Sequence, residues 1–174
     1  MTTMTKTDAA RAMQTELRGE TDIVIRRSFA APPVRVWRAL TDPAVIPQWM
    51  WAFDWPMTTC ELDLRPGGTF TYRYTGPDGA SFFFTGPVLE VEPPTRLVHR
   101  ELFNGDPAAA CDVTTILRPE GSGTRMEMTL RYADAGARAA AIATGMTDGM
   151  DVVYGKLDAM LAADTAGIAA AAGT

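Results

Sequence analysis

The sequence is poor in the residues on which metal and nucleophilic chemistry depend. It contains one histidine, His99, and two cysteines, Cys60 and Cys111. Structural zinc sites take four Cys or His ligands, and the helix of a zinc peptidase takes two histidines. No Gly-x-Ser-x-Gly motif supplies the serine of a hydrolase triad. We therefore expect no metal site and no cofactor, and we interpret both cysteines as small buried side chains.

Basic charge and long apolar runs are also scarce. Lys and Arg number 16 against 21 Asp and Glu, which gives a net charge of −5. An acidic chain without a basic cluster is a poor partner for nucleic acid or an anionic membrane surface. No apolar run approaches the ~18 residues of a membrane span, and the first residues lack the apolar region of a signal peptide. We expect a cytoplasmic protein without membrane insertion.

The length of 174 residues suits one domain. Residues 1–20 are polar and Thr-rich, and we predict a flexible N-terminal arm there. Residues 21–163 carry the periodic apolar pattern of a folded domain. Residues 164–174 are mostly Ala and Gly, which predicts a disordered tail.

The order of periodic patterns predicts the fold class. A β-branched strand over 22–29 precedes two short helices, over 34–40 and 44–48, the first entered through Pro32-Pro33. Apolar residues then alternate with polar ones, and clusters of Gly, Pro, Asn and Asp separate six strands. These strands are predicted over 58–64, 69–75, 81–91, 96–103, 111–117 and 124–132.

One long helix ends the predicted domain. From 135 to 163, apolar residues recur at steps of three and four, as on the buried face of a helix. Seven antiparallel strands and this helix can bury their apolar faces only against each other. The sequence therefore predicts an α+β fold in which a seven-stranded antiparallel sheet curls around a long C-terminal helix, with two short helices after the first strand.

Several segments resemble a known superfamily. Residues 25–43 are similar to the opening of the START-like, helix-grip (SRPBCC) superfamily. Residues 60–70, 84–98 and 145–150 resemble the branch named after the activator of the heat-shock-protein-ninety ATPase. The resemblance implies a deep cavity between sheet and C-terminal helix, which typically holds a hydrophobic small molecule. Relatives include lipid and hormone carriers and polyketide cyclases.

Aromatic residues are dense around this expected cavity. Phe70, Tyr72 and Tyr74 share one strand face because side chains alternate along a strand, and His99 and Glu101 share another face. Ligand sites are mostly apolar with a few polar groups, whereas the alternative for each position is an ordinary core. The candidate ligand-binding residues are Trp37, Trp49, Trp51, Phe53, Phe70, Tyr72, Phe82, Phe84, His99, Glu101, Phe103, Met146, Met150 and Tyr154.

Three functions are compatible with these residues. The first is binding of a small hydrophobic or amphipathic molecule, and we expect a binding protein rather than an enzyme. The second is an enzyme of the polyketide cyclase or hydrolase type, in which His99 beside Glu101 could act as a general base. The third is a chaperone-associated regulator. The Met- and Trp-rich loop after the short helices could also leave an apolar patch through which a homodimer forms.

Overall fold

An antiparallel sheet of eight strands forms the largest part of the computed structural model, which describes residues 11–172 and the side chains of residues 11–164. The strand order across the sheet is β1-β2-β8-β7-β6-β5-β4-β3. The strands are β1 (Gln14–Arg18), β2 (Asp22–Phe29), β3 (Met57–Leu62), β4 (Thr69–Thr75), β5 (Ser81–Glu92), β6 (Arg96–Phe103), β7 (Cys111–Glu120) and β8 (Gly123–Tyr132).

Strands β3 to β8 are consecutive neighbours, joined by the predicted turn clusters, and β2 pairs with β8. This arrangement confirms the predicted antiparallel α+β fold. Each of the six predicted strands after β2 is present, with ends that differ by at most a few residues. Short turns between neighbouring strands explain the agreement, since turn residues mark both the end of a strand and its pairing partner.

The predicted count of seven strands is one too low. The additional strand, β1, lies within the predicted arm of residues 1–20 and forms a hairpin with β2 across Gly19, which has a φ of 55°. It is exposed along its whole length, so its sequence lacks the alternation that reveals a half-buried strand. Ion pairing of Glu16 with Arg26 at 2.7 Å adds to the backbone pairing. Residues 1–10 lie outside the described part of the chain.

The helices are α1 (Pro33–Thr41), α2 (Ala135–Ala143) and α3 (Met146–Ala172), with 3₁₀ turns at Ile46–Gln48 and Pro107–Ala109. The first predicted short helix is confirmed as α1, with Pro33 in its first turn. The second predicted short helix is only a 3₁₀ turn, Ile46–Gln48. The chain just before this turn is held by a hydrogen bond from the Ala44 amide to the Asp42 carboxylate.

The predicted single C-terminal helix is instead two helices. The chain breaks at Gly145, which has a φ of 79° and donates from its amide to the Ile142 carbonyl at 3.0 Å. Glycine is the residue that adopts this left-handed conformation at a helix end without steric cost. Helix α3 also extends to Ala172, so most of the predicted tail of residues 164–174 is helical. In the described part of the chain, no helix is long and apolar enough to cross a membrane.

A hydrophobic core joins the far half of α3 to α1 and to one end of the sheet. Leu157 and Leu161 of α3 pack with Phe29, Leu117 and Met126, all nearly inaccessible to solvent. Close packing of this kind holds the helix at a fixed position on the sheet. The near half of α3 and the whole of α2 lie over the other part of the sheet.

The break before α3 predicts opposite effects for two glycine-to-alanine substitutions. Both glycines have open space where a Cβ would lie. We expect Gly145→Ala to lower the free energy of unfolding by about 1–2 kcal/mol, because alanine is strained at positive φ. The matched control Gly155→Ala lies inside α3 at an ordinary φ and should raise it by about 0.5–1 kcal/mol. Urea unfolding measures both, and destabilisation by both or neither would contradict the helix break.

Candidate ligand-binding cavity

A cavity of about 810 Å³ lies between the sheet and helices α2 and α3. Small-molecule sites in proteins measure roughly 300–1,000 Å³, so the volume suits a ligand of drug or lipid size. Its walls come from the sheet, from α1, from the loop at 49–55, from α2 and from the first turns of α3. Three alanines of α2, Gly145 at the helix break and Gly149 of α3 are among the lining residues, and their small size leaves the space open.

Every candidate residue from the sequence lies on the wall of this cavity. Strand pairing explains why: Tyr72 lies opposite Phe84, and Phe84 lies opposite Phe103, so these side chains project from the same face of the sheet. The cavity brings together Trp37, Trp49, Trp51, Phe53, Phe70, Tyr72, Phe82, Phe84, His99, Glu101, Phe103, Met146, Met150 and Tyr154.

Aromatic rings in mutual contact form the wall on β4, β5 and β6. Tyr74 stacks on Phe82 with ring centroids 4.9 Å apart, and Phe84 meets Phe103 at 5.5 Å. Aromatic pairs at these separations stabilise each other beyond their burial of area. The wall therefore presents a preformed apolar surface with few rotatable side chains.

A small polar cluster faces the cavity beside this wall. The His99 Nε2 atom is 3.7 Å from the nearer carboxylate oxygen of Glu101, and the His99 ring packs edge-on against Phe70. The Tyr72 hydroxyl makes no hydrogen bond with the described residues. This hydroxyl is therefore available to donate a hydrogen bond to a molecule in the cavity. The cluster can thus accept and donate hydrogen bonds to a molecule inside.

Burial raises the pKa of the cavity phenols of Tyr72, Tyr132 and Tyr154, and the Glu101 carboxylate raises each of them further. These phenols stay neutral at physiological pH and keep their protons for donation. The two thiols likewise stay protonated: burial raises the pKa of Cys60 to about 11 and raises that of Cys111 as well. Neither thiol has the lowered pKa of a reactive cysteine.

Sequence reasoning missed the floor of the cavity on β7 and β8. Val113 pairs with Leu130, and Cys111 pairs with Tyr132, whose hydroxyl donates to the Met146 sulfur at 3.4 Å. The alternation that identified the inward face of β4 also identifies the inward faces of these two strands, because odd positions of β7 and even positions of β8 face the cavity. The missed lining residues on these strands are Cys111, Val113, Thr115, Met128, Leu130 and Tyr132.

The loop at 49–55 covers one side of the cavity. Phe53, with a φ of 53° and two-thirds of its surface exposed, lies over Gly149 of α3. The Lys156 ammonium donates to the Trp51 carbonyl at 2.9 Å and lies 2.9 Å from the centre of the Trp51 ring. Burial lowers the pKa of this lysine. One side chain of α3 thus attaches the loop to the helix.

The described residues hold no group of three or more His, Cys, Asp or Glu side chains placed to bind a metal ion. The lining of the cavity consists of aromatic and aliphatic side chains with a few hydrogen-bonding groups. A sheet and a long C-terminal helix with such a cavity between them define the helix-grip fold of the START-like superfamily.

Comparison with known proteins agrees with this class. Residues 30–162 match the family model described as "Activator of Hsp90 ATPase homolog 1-like protein". Because the match covers most of the chain, the protein belongs to this family. No curated protein matches the chain.

Solved structures share the fold. A protein from Rhodobacter sphaeroides is 41% identical, with a TM-score of 0.83 over 87% of this chain and 99% of its own. A protein from Mycobacterium smegmatis is 25% identical, with a TM-score of 0.79 over 86% of this chain and 96% of its own. CalU16 from Micromonospora echinospora is 29% identical, with a TM-score of 0.57 over 82% of this chain and 80% of its own.

The contact between Lys156 and Trp51 predicts that the loop loosens when the ammonium is removed. Lys156→Met keeps the length of the side chain but loses a cation–π contact and a hydrogen bond, each worth about 1 kcal/mol. We expect amide hydrogen exchange of residues 51–55 to quicken by about tenfold, which corresponds to ~1.4 kcal/mol. Lys156→Arg keeps the cation and should exchange nearly as the wild type does. Equal exchange in all three proteins would show that the contact does not hold the loop.

Proposed function

We propose that the protein binds a small hydrophobic or amphipathic molecule in the cavity between the sheet and the C-terminal helices. The single observation that carries the proposal is the cavity of about 810 Å³ with walls of aromatic, methionine and aliphatic side chains and a few polar groups. A folded domain normally fills its interior, because each void forfeits packing contacts. A cavity of this size with a mostly apolar wall is the form of site that small molecules occupy in proteins.

Membership of the family supports the proposal at the level of the fold. The family's name includes an ATPase activator, but a chaperone-associated role rests on that name only and we do not propose it. The homodimer and the cytoplasmic location expected from the sequence stay predictions. The candidate residues on the cavity wall are the proposed ligand contacts.

Filling the cavity with a protein side chain tests the proposal. Ala141 of α2 lines the cavity, and Ala139 on the same helix is exposed and outside it. We expect Ala141→Trp to weaken binding of Nile red, a neutral apolar dye, by at least about tenfold, since the indole takes the place of the ligand. Ala139→Trp makes the same substitution on the surface and should leave the affinity close to that of the wild type.

Nile red fluorescence measures the affinity, and thermal unfolding confirms that each variant is folded. If the wild type fails to bind the dye saturably, or if both tryptophan variants bind it equally well, the cavity is not the binding site and the proposal fails.

One observation favours catalysis as a second candidate function. His99 Nε2 lies 3.7 Å from the Glu101 carboxylate on the cavity wall, so a shift of a few tenths of an ångström on substrate binding would form the hydrogen bond by which a carboxylate orients a histidine general base. An esterase of this kind would hydrolyse 2-naphthyl acetate, and His99→Ala would slow it by about 10²–10⁴-fold, whereas Nile red affinity would stay within about tenfold of the wild-type value because the aromatic wall remains. An equal rate in the variant, or no hydrolysis by the wild type, would leave a binding protein without this activity.

A further inference from the structure

We propose that the ligand of this cavity is neutral or cationic and donates a hydrogen bond from an amine or hydroxyl group to the carboxylate of Glu101, and that the cavity discriminates against anionic ligands such as carboxylates. The inference rests on the proposed function of the same site and specifies the chemistry of its ligand.

Apart from the titratable ring of His99, the ionisable groups on the cavity wall that carry charge at neutral pH are carboxylates. The lining residues of the described chain include two carboxylates, Glu101 and Asp106, and no lysine or arginine. Asp106 accepts a hydrogen bond from the Ala108 amide at 2.9 Å and so caps a 3₁₀ turn. Glu101 is the carboxylate left facing the cavity. An anionic ligand would meet this charge with no lysine or arginine on the wall to offset it, and the histidine on the wall, His99, already lies 3.7 Å from the same carboxylate.

The basic residues nearest the cavity make contacts elsewhere. Arg100 neighbours Glu101 in β6, projects from the opposite face and binds Asp112 with two hydrogen bonds of 2.7 and 3.0 Å. Lys156 binds Trp51 at the edge of the loop. Arg27 is 3.4 Å from Asp151 and 4.0 Å from Asp158, two residues of α3 that do not line the cavity. These contacts keep each cation off the cavity wall.

The Glu101 carboxylate has unused capacity for hydrogen bonds. It lies beside His99, whose Nε2 atom is 3.7 Å away, beyond hydrogen-bonding distance. It accepts no hydrogen bond from the described residues, although about a quarter of its side chain is exposed. A carboxylate removed from bulk water is stabilised by donors directed at it. A ligand amine or hydroxyl supplies such a donor.

The influence of Glu101 reaches across the cavity. Burial is the main cause of the raised pKa of Tyr72, Tyr154 and Cys111, and the negative charge of Glu101 adds to it in each case. Tyr72 is on β4, Tyr154 on α3 and Cys111 on β7, so the groups affected lie on three sides. Glu101 therefore contributes a negative potential on three sides of the cavity, which favours cations and disfavours anions, and Arg27 opposes it at Tyr154.

A series of three ligands with one ring system tests the inference. 1-Naphthylmethylamine, 1-naphthylmethanol and 1-naphthoate share the naphthalene body and differ in a group that is cationic, neutral or anionic at pH 7. We expect calorimetric titration to show the amine and the alcohol bound at least about tenfold more tightly than the naphthoate, a difference of ~1.4 kcal/mol.

Two glutamate variants assign the preference to one carboxylate. Glu101→Gln keeps the size of the side chain and removes its charge, so the preference for amine over naphthoate should fall by about tenfold. Binding of the alcohol should change little, because the Gln carbonyl still accepts a hydrogen bond. Glu61→Gln removes the same charge from an exposed position of β3 outside the cavity and should leave all three affinities unchanged.

The outcomes separate this inference from the proposed function. If naphthoate binds the wild type as tightly as the amine, the inference is overturned while binding in the cavity stands. A preference that survives in Glu101→Gln overturns the role of Glu101. If Glu101→Gln does not fold, the comparison of the three ligands on the wild type still decides the charge preference. Absence of binding by all three, together with failure of Nile red to bind, overturns both proposals.

Discussion

The packing of Tyr154 between Trp49 and Phe29 is the contact on which the cavity depends. Its ring stacks on Trp49 at 5.8 Å and meets Phe29 edge-on at 6.2 Å. Trp49 is fully buried and donates from its indole nitrogen to the Ala39 carbonyl at 3.0 Å, which joins α1 to the loop. Beyond Tyr154, α3 packs directly on the sheet. Before it, α3 lies over the cavity and reaches the sheet through Met146 and Met150, so these rings mark the boundary between core and cavity.

The composition of the cavity wall links this packing to function. Alanines and glycines on the helical side leave space for a ligand, and aromatic rings on β4 to β6 provide an apolar surface. The small polar cluster beside these rings can orient a ligand through hydrogen bonds. The acidic character inside the cavity does not follow from the net charge of −5, which arises mostly on the exterior. It follows from the placement of Glu101 on the inward face of β6 while Arg100 projects outward.

Sequence patterns predicted the architecture and the aromatic side chains of the cavity wall because period-two alternation determines which strand residues share a face. They missed β1 because a strand exposed on both faces has no apolar alternation. They missed the helix break because the apolar residues keep a helical spacing of four across it, at Ile142, Met146 and Met150. Val113 and Leu130 were not identified because an aliphatic residue on a cavity wall has the same pattern as one in a filled core; only the position of α3 distinguishes the two.

The measurement that tests the central claim most directly is methyl NMR of the methionines during titration with 1-naphthylmethanol. Met50, Met128, Met146 and Met150 line the cavity, whereas Met126 is in the filled core and Met160 lies at a separate shallow pocket. A naphthalene ring inside the cavity shifts nearby methyl resonances through its ring current. The account predicts saturable shifts of the four lining methyls with little change at Met126 and Met160. Shifts confined to Met160, or none at the lining methyls, would contradict it.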